Sequence, residues 1–197
     1  MNIIKTILLI GLAMISLTGC TKTVQWEEEV LLNTGETIVV KRNGSYKYKG
    51  LTSDSNAFSY VPEWQSTIEF TYKEKKYSHT DDAPLQLLAI APDGTPNLIA
   101  ATGAEWGRKN KYHCVTPSYV QFRPDNTGKA WTWPDKIDVW LYGLRTNLLL
   151  GLAPLADDGK KFSSEEQQQE NASITERSKQ FKNIDPTYTT NNCPTRK

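Results

Sequence analysis

The chain has little of what catalysis ordinarily uses. Among 197 residues there are two histidines and three cysteines. No G-x-S-x-G elbow, H-E-x-x-H helix or phosphate-cradling Gly-rich loop occurs. Those absences leave no catalytic, cofactor-binding or metal-ligating residue to name from motif. An excess of one charge is missing too, with 23 basic residues against 22 acidic ones. That balance argues against a nucleic-acid partner and against broad polybasic adhesion to lipid. Neither an internal repeat nor a Gly/Ser-rich linker divides the chain, whose length suits one domain able to bury a real core.

What is present begins at the N-terminus. Residues 1–19 carry one positive charge at Lys5, an apolar stretch from Ile7 to Leu17, and the small pair Thr18 and Gly19. This is the layout of an export signal. Its apolar stretch is shorter than the about 20 residues needed to cross a bilayer, and charge returns at Lys22, so a signal-anchor is the weaker alternative.

The cleavage region Leu17-Thr18-Gly19-Cys20 resembles the lipobox of bacterial lipoproteins. The resemblance implies that the Cys20 thiol is joined to a diacylglycerol, that the signal is cut immediately before it, and that the new amine is acylated. One acyl chain binds reversibly, at about 0.8 kcal/mol per buried CH₂, whereas two or three anchor stably. A chance cysteine behind an ordinary signal peptide is the alternative. The expected organisation is a signal over residues 1–19 and one lipid-anchored mature domain over residues 20–197. Lys5 is the only ionisable side chain in the signal, so its removal leaves the mature chain with no net charge. Thr21 follows the anchor where aspartate would favour the inner membrane, which implies the outer membrane with the domain facing the periplasm; the inner membrane is the alternative. A strand-like run with Trp26 follows Cys20 so closely that the fold is expected within roughly 20 Å of the membrane.

With Cys20 spent on lipid, Cys114 and Cys193 remain, and in an oxidising compartment they are the natural disulfide pair. Closing that loop removes roughly 4–5 kcal/mol of unfolded-chain entropy in the simple model. The competing reading makes His113 and Cys114 a metal-binding or active dyad, but neighbours on a strand point to opposite faces.

Strands dominate the rest. "TVQWEEEVLL" and "ETIVVKR" flank "NTGE" as a hairpin, and "STIEFTYK" alternates with Ile68, Phe70 and Tyr72 on one face. "EKK" reads as the turn into "YSHT", and "PDGTP" as the turn between "LQLLAIA" and "NLIAA". A strand through "YHCVTPSYVQF" is expected to bend near Pro117. "AWTWP" and "KIDVWLYGL" follow as strands. The C-terminal region "FSSEEQQQENASITERSKQFK" reads as a surface helix, with Ser163 and Glu166 as a capping box and a thin apolar stripe at Ala172, Ile174 and Phe181. Beyond it an irregular tail has Cys193 as its obvious tie. The expected fold is therefore mainly β, an antiparallel sandwich-like arrangement with one C-terminal surface helix.

Three places invite a functional reading. His79, Asp81 and Asp82 form the one short acid-base cluster, although "HTDDAP" supplies too few oxygens for a cation and reads best as a solvated turn. Trp131 and Trp133, two apart, share a strand face and are either core packing or an apolar platform for a sugar ring or a partner protein. The run "NLLLGLAPLA", residues 147–156, is expected to close the core, with an exposed contact patch as the alternative.

"QWEEEVLLNTGETI", "TPSYVQFRPDNTGKAWTWPDKI", "WLYGL" and "IDPTYT…C" resemble an uncharacterised group of proteobacterial lipoproteins with no assigned activity. The resemblance implies a lipoprotein with a shared fold and transfers no active site. The expected function is a non-enzymatic structural or interaction module of the envelope, its partners being the membrane through the anchor and an envelope protein. The alternatives are a glycan-binding module using Trp131 and Trp133, and a hydrolase-type enzyme around His79, Asp81 and Asp82.

Overall fold

Alternation of apolar and polar side chains builds the first sheet. The computed structural model describes residues 21–52, 55–102, 111–112 and 115–189. Strand β1 (Thr21–Leu31) buries Val24, Trp26, Glu28 and Val30 on one face and exposes the residues between them, apart from the half-buried Glu27. It already includes Thr21 and Lys22, ahead of the expected start at Thr23. β1 turns through Leu32–Glu36 into β2 (Thr37–Thr52), with Gly35 at a φ of 87° and the Leu32 N–H donating to the Glu36 carbonyl at 2.8 Å. β3 (Ser55–Tyr72) returns along β2, and its Ile68, Phe70 and Tyr72 point into the core as the alternation predicted. The turn into β4 (Lys75–Asp81) is centred on Lys73 and Glu74, both in the left-handed region, one residue earlier than "EKK" suggested.

The sheet order is β4-β3-β2-β1-β9, where β9 (Lys161–Phe162) lies parallel to β1 and every other pairing is antiparallel. The second, antiparallel sheet has the order β5-β6-β7-β8, from β5 (Leu85–Ile90), β6 (Pro96–Ala101), β7 (Tyr119–Pro124) and β8 (Trp131–Thr132). Every residue of β5 and β6 is buried. The reason is that this sheet is covered twice. Leu88, Ile90, Leu98, Ala100 and Phe122 meet the first sheet through Val30, Val40, Ile68 and Phe70. Leu87, Ala89, Ile99 and Tyr119 face the other way and are covered by Ile137, Leu141 and Ile184. Continuous apolar runs suit strands without a solvent face.

The C-terminal third departs from expectation in three ways. "VWLYGL" is not a strand: Val139–Leu141 form a 3₁₀ turn, with Val139 76% exposed. Leu141 N–H bonds to the Asp138 carbonyl and Tyr142 N–H to that of Val139, replacing ladder bonds. Helix α1 (Ser164–Thr175) carries the expected capping box between Ser163 and Glu166, but it ends early and is followed by a 3₁₀ turn at Lys179–Phe181. Nor does it dock through an apolar stripe. Its buried residues are Gln167 and Asn171, one turn apart, while Ile174 is exposed. The tail up to Thr189 is held through fully buried Ile184 and through Ser118 N–H donating to the Tyr188 carbonyl at 2.8 Å, while Cys193, the expected tie, lies outside the described residues. The run 147–156 closes the core as expected, with Leu148, Leu149 and Ala153 buried. No described helix is long and apolar enough to cross a membrane.

Candidate functional site

Two of the three sequence-derived candidates, the His79–Asp82 cluster and the Trp131–Trp133 pair, converge on one edge of the sandwich. Alternation along β4 turns Tyr77, His79 and Asp81 inward, opposite the outward Lys76, Ser78 and Thr80. Across the gap β7 supplies Phe122, and β8 with the residue after it supplies Trp131 and Trp133. Their rings form a continuous aromatic seam. His79 lies 4.4 Å from Phe122 and 5.1 Å from Trp131, centroid to centroid. Tyr112 stands edge-on to both Phe122 at 5.8 Å and Trp133 at 5.7 Å.

The two tryptophans occupy different depths in that seam. Trp131 is half-buried, and its indole N–H donates to the Ser78 carbonyl at 2.6 Å. Trp133 lies beyond the end of β8 and is 45% exposed, with Tyr112 and Phe122 against one side. They therefore do not make a flat two-ring platform. Trp131 is the supporting ring, and Trp133 is the accessible one.

The acid-base cluster corrects the expectation of a solvated turn, because His79 and Asp81 are buried. Asp81 accepts the Ala83 N–H at 2.8 Å, the Lys111 ammonium at 2.8 Å and a short hydrogen bond from the Tyr112 hydroxyl. Lys111 also reaches the exposed Asp82 at 3.2 Å and sits over the Tyr112 ring. Burial alone would push the Asp81 carboxyl up, but the Lys111, Tyr112 and Ala83 donors outweigh it and hold it below the usual carboxylate range. Burial dominates at His79, with Lys111 adding to it and Asp81 opposing, so the imidazole is held down to about 4. It is neutral at ordinary pH. Among the described residues its Nε2 has no hydrogen-bond partner, and its ring packs against Phe122 and Trp131. Among the described residues no group of three or more His, Cys, Asp or Glu side chains is arranged to hold a metal ion.

Sequence reasoning missed a second polar centre. Glu28 and Arg42 are buried, 3.0 Å apart. One Glu28 oxygen also accepts the Trp26 indole N–H at 2.6 Å, and the other accepts Leu149 N–H at 2.8 Å and the Gln167 amide at 2.6 Å. Arg42 in turn donates to the Leu149 carbonyl at 2.7 Å and lies 5.1 Å from the Trp26 ring. Every bond is internal, so the centre fastens the 147–156 run and α1 to the sheet. The signal was present in "VQWEEEV", where strict alternation places Glu28 between Trp26 and Val30 on the buried face.

A third centre surrounds Asp138, which accepts from Gln121 at 3.0 Å, from the Trp140 indole at 2.9 Å and from Arg123. It borders a shallow cavity of about 240 Å³ and pins the 3₁₀ turn. Cys20, Cys114, Cys193, His113 and Trp106 lie outside the described residues. Compared with protein-family models, with curated proteins and with solved structures, the chain matches none.

Proposed function

We propose that this chain is a lipid-anchored module of the bacterial envelope, held through Cys20 and working by contact rather than by catalysis, with its domain facing the periplasm from the outer membrane. The observation that carries this reading is the fate of the polar groups. Asp81 is spent on three internal donors and Glu28 on four, while the His79 imidazole is walled in by aromatic rings. Carboxylates held by this many internal donors rigidify a domain, which suits a module that works by contact. The lipoprotein identity itself rests on the lipobox resemblance at Leu17–Cys20.

The contact surface under this reading is the Trp133 edge. A half-exposed indole against Tyr112, whose ring also carries Lys111 paired with Asp82, the two side chains 40% and 43% exposed, joins an apolar plate to a polar cluster. A photo-crosslinking amino acid at position 133 in intact cells is expected to yield a discrete adduct with an envelope protein, whereas one at Thr34, on the β1–β2 turn, yields none. Indistinguishable patterns at the two positions would sink the assignment of this surface.

A second reading, glycan binding, is favoured by the same exposed ring. Titration with peptidoglycan or lipopolysaccharide fragments would then shift tryptophan emission in the native protein and not in Trp133→Ala. Emission that stays constant in both proteins removes it.

A further inference from the structure

β2 and β3 run well past the rest of their sheet. β1 accompanies β2 only as far as the pairing of Thr21 with Lys47, and β4 leaves β3 at Ser66 opposite Asp81. Beyond Lys47 the two strands pair, among the described residues, only with each other, through Tyr48 opposite Tyr60 and Leu51 opposite Phe58, to Thr52 opposite Ser55. This two-stranded arm reaches about 17 Å past Thr21, at about 3.3 Å per residue.

The direction of the arm is fixed by the antiparallel pairing. Thr21, the first described residue of β1, lies where the arm leaves the sheet, and Cys20 is bonded directly to it. The β1–β2 turn at Leu32–Glu36 and the β3–β4 turn lie at the opposite end. On the reading that Cys20 carries the lipid, no slack separates the anchor from the sheet. Acyl chains entering the bilayer at Cys20 therefore bring the arm onto the membrane.

The composition of the arm suits that location. Tyr48 and Tyr60 have rings 5.6 Å apart, and Lys22 sits 4.6 Å over the Tyr60 ring. Lys47 and Lys49 are exposed beside them, and the register places Leu51 opposite Phe58 farther out. Tyrosines and lysines followed outward by apolar residues is the order that a membrane interface selects, with aromatics and ammoniums at headgroup level and hydrocarbon beyond. Over its length the arm has no second sheet to pack against among the described residues.

We infer that the β2–β3 arm is a second, non-covalent membrane contact, a foot that lies in the headgroup region of a phospholipid bilayer and sets the orientation of the domain. The inference rests on the lipid anchor at Cys20. Its test uses the full mature protein, purified from membranes and reconstituted into vesicles of phosphatidylethanolamine and phosphatidylglycerol. An environment-sensitive fluorophore is attached at Phe58→Cys or, as the distant control, at Thr34→Cys, and unsubstituted protein carried through labelling gives the background. Intact mass of the N-terminal peptide reports the lipid on Cys20 separately. The expected result is a lipidated Cys20, with the label at 58 blue-shifted and losing most of its emission to bromine-labelled lipids while the label at 34 behaves as in water. A lipidated protein whose label at 58 stays in water overturns the foot and leaves the anchor standing. An N-terminal peptide without lipid overturns the anchor, and the foot falls with it.

Discussion

Gln167 on helix α1 donates to the fully buried carboxylate of Glu28 on β1, 139 residues earlier in the chain, at 2.6 Å. This bond is how a helix with almost no apolar face is docked. Asn171, one turn on, repeats the device by accepting from Leu150 N–H and donating to the Leu148 carbonyl. Glu28→Ala strands the Arg42 guanidinium inside the protein and is expected to cost about 3–5 kcal/mol, the usual penalty for breaking a buried pair by removing one partner. Gln167→Ala removes one charge-assisted bond and is expected to cost about 2 kcal/mol. Urea unfolding monitored by tryptophan emission measures both. Equal effects from the two variants would mean that Glu28 does not hold Arg42.

The same pair marks the limit of what the sequence made legible. Period-two alternation identified the β1–β2 hairpin and the inward face of β3, because each is a half-buried strand with one solvent face. It failed at "KIDVWLYGL", where an apolar run looked like a strand but packs on β5 and β6 through buried Ile137 and Leu141, with Trp140, Tyr142 and Leu144 partly buried around them. Its backbone is bent by local i to i+3 bonds and by Asp138, whose partners Gln121 and Arg123 lie on β7. The helix start was legible from capping chemistry, whereas its early end was not, nor was its docking face, because polar residues carry it. For the site, the individual residues were visible but their meeting was not. His79 and Trp131 are neighbours only because β4 and β8 edge the two facing sheets, a relationship that lies in tertiary pairing.

Stability should fall on mild acidification through His79. The imidazole is held down to about 4 from an ordinary 6.5, so between those values the unfolded chain takes up a proton that the folded protein refuses. Folding is therefore penalised as pH drops from about 6.5 to about 4, by up to about 3 kcal/mol, and the penalty grows no further below that. Asp81, shifted downward, adds its own loss at lower pH, as its carboxylate is protonated and its bonds to Lys111 and Tyr112 are given up. In His79→Gln the drop between pH 6.5 and 4 should shrink while the lower-pH loss remains. Urea midpoints across this range, compared between the two proteins, decide it; parallel curves would show that His79 is not the group responsible.

Trp131 and Trp133 should separate in their consequences. Trp131→Ala loses a half-buried ring packed on Tyr77 and His79 together with its bond to Ser78, an expected cost of about 2 kcal/mol or more. Trp133→Ala removes a ring that is 45% exposed and makes edge contacts only, so a cost below about 1 kcal/mol is expected. Thermal unfolding of the two variants gives the comparison directly. A Trp133 variant as unstable as the Trp131 variant would argue that its ring is structural and would weaken its assignment as a contact surface.

Gly128 occupies a position that admits no side chain. Its φ is 77°, and a Cβ there would sit 2.8 Å from the Lys76 carbonyl, whereas Gly35, at a φ of 87°, meets nothing within 4 Å. Gly35→Ala should cost about 1 kcal/mol from the left-handed backbone alone. Gly128→Ala adds the clash, so it should cost clearly more and loosen the 125–130 turn from β4, to which it is joined by Ser78 N–H donating to the Gly128 carbonyl. Hydrogen exchange at the Ser78 amide reads that loosening, and unchanged protection would count against it.

The bond from Ser118 to Tyr188 bears on the remaining two thiols. It fastens the start of β7 to the C-terminal tail, and the tilted contact of the Tyr119 and Tyr188 rings at 5.2 Å reinforces it. Cys114 stands just before Ser118 in the chain and Cys193 just beyond Tyr188, so the segments carrying both cysteines leave one fastened point. Closure of the long loop between them is thus already made by the fold, and a disulfide needs only a short local search. Digestion without reduction is expected to yield one peptide pair joining Cys114 to Cys193. Because the linkage acts mainly on the unfolded chain, Cys193→Ser should keep the native near-ultraviolet spectrum while losing up to about 4 kcal/mol of stability. Cys114→Ser should lose a similar amount, and the double variant no more than either, since both remove the same bond. Alkylation of both thiols in denatured, unreduced protein would rule the pairing out and return Cys114 to consideration as a free thiol beside His113.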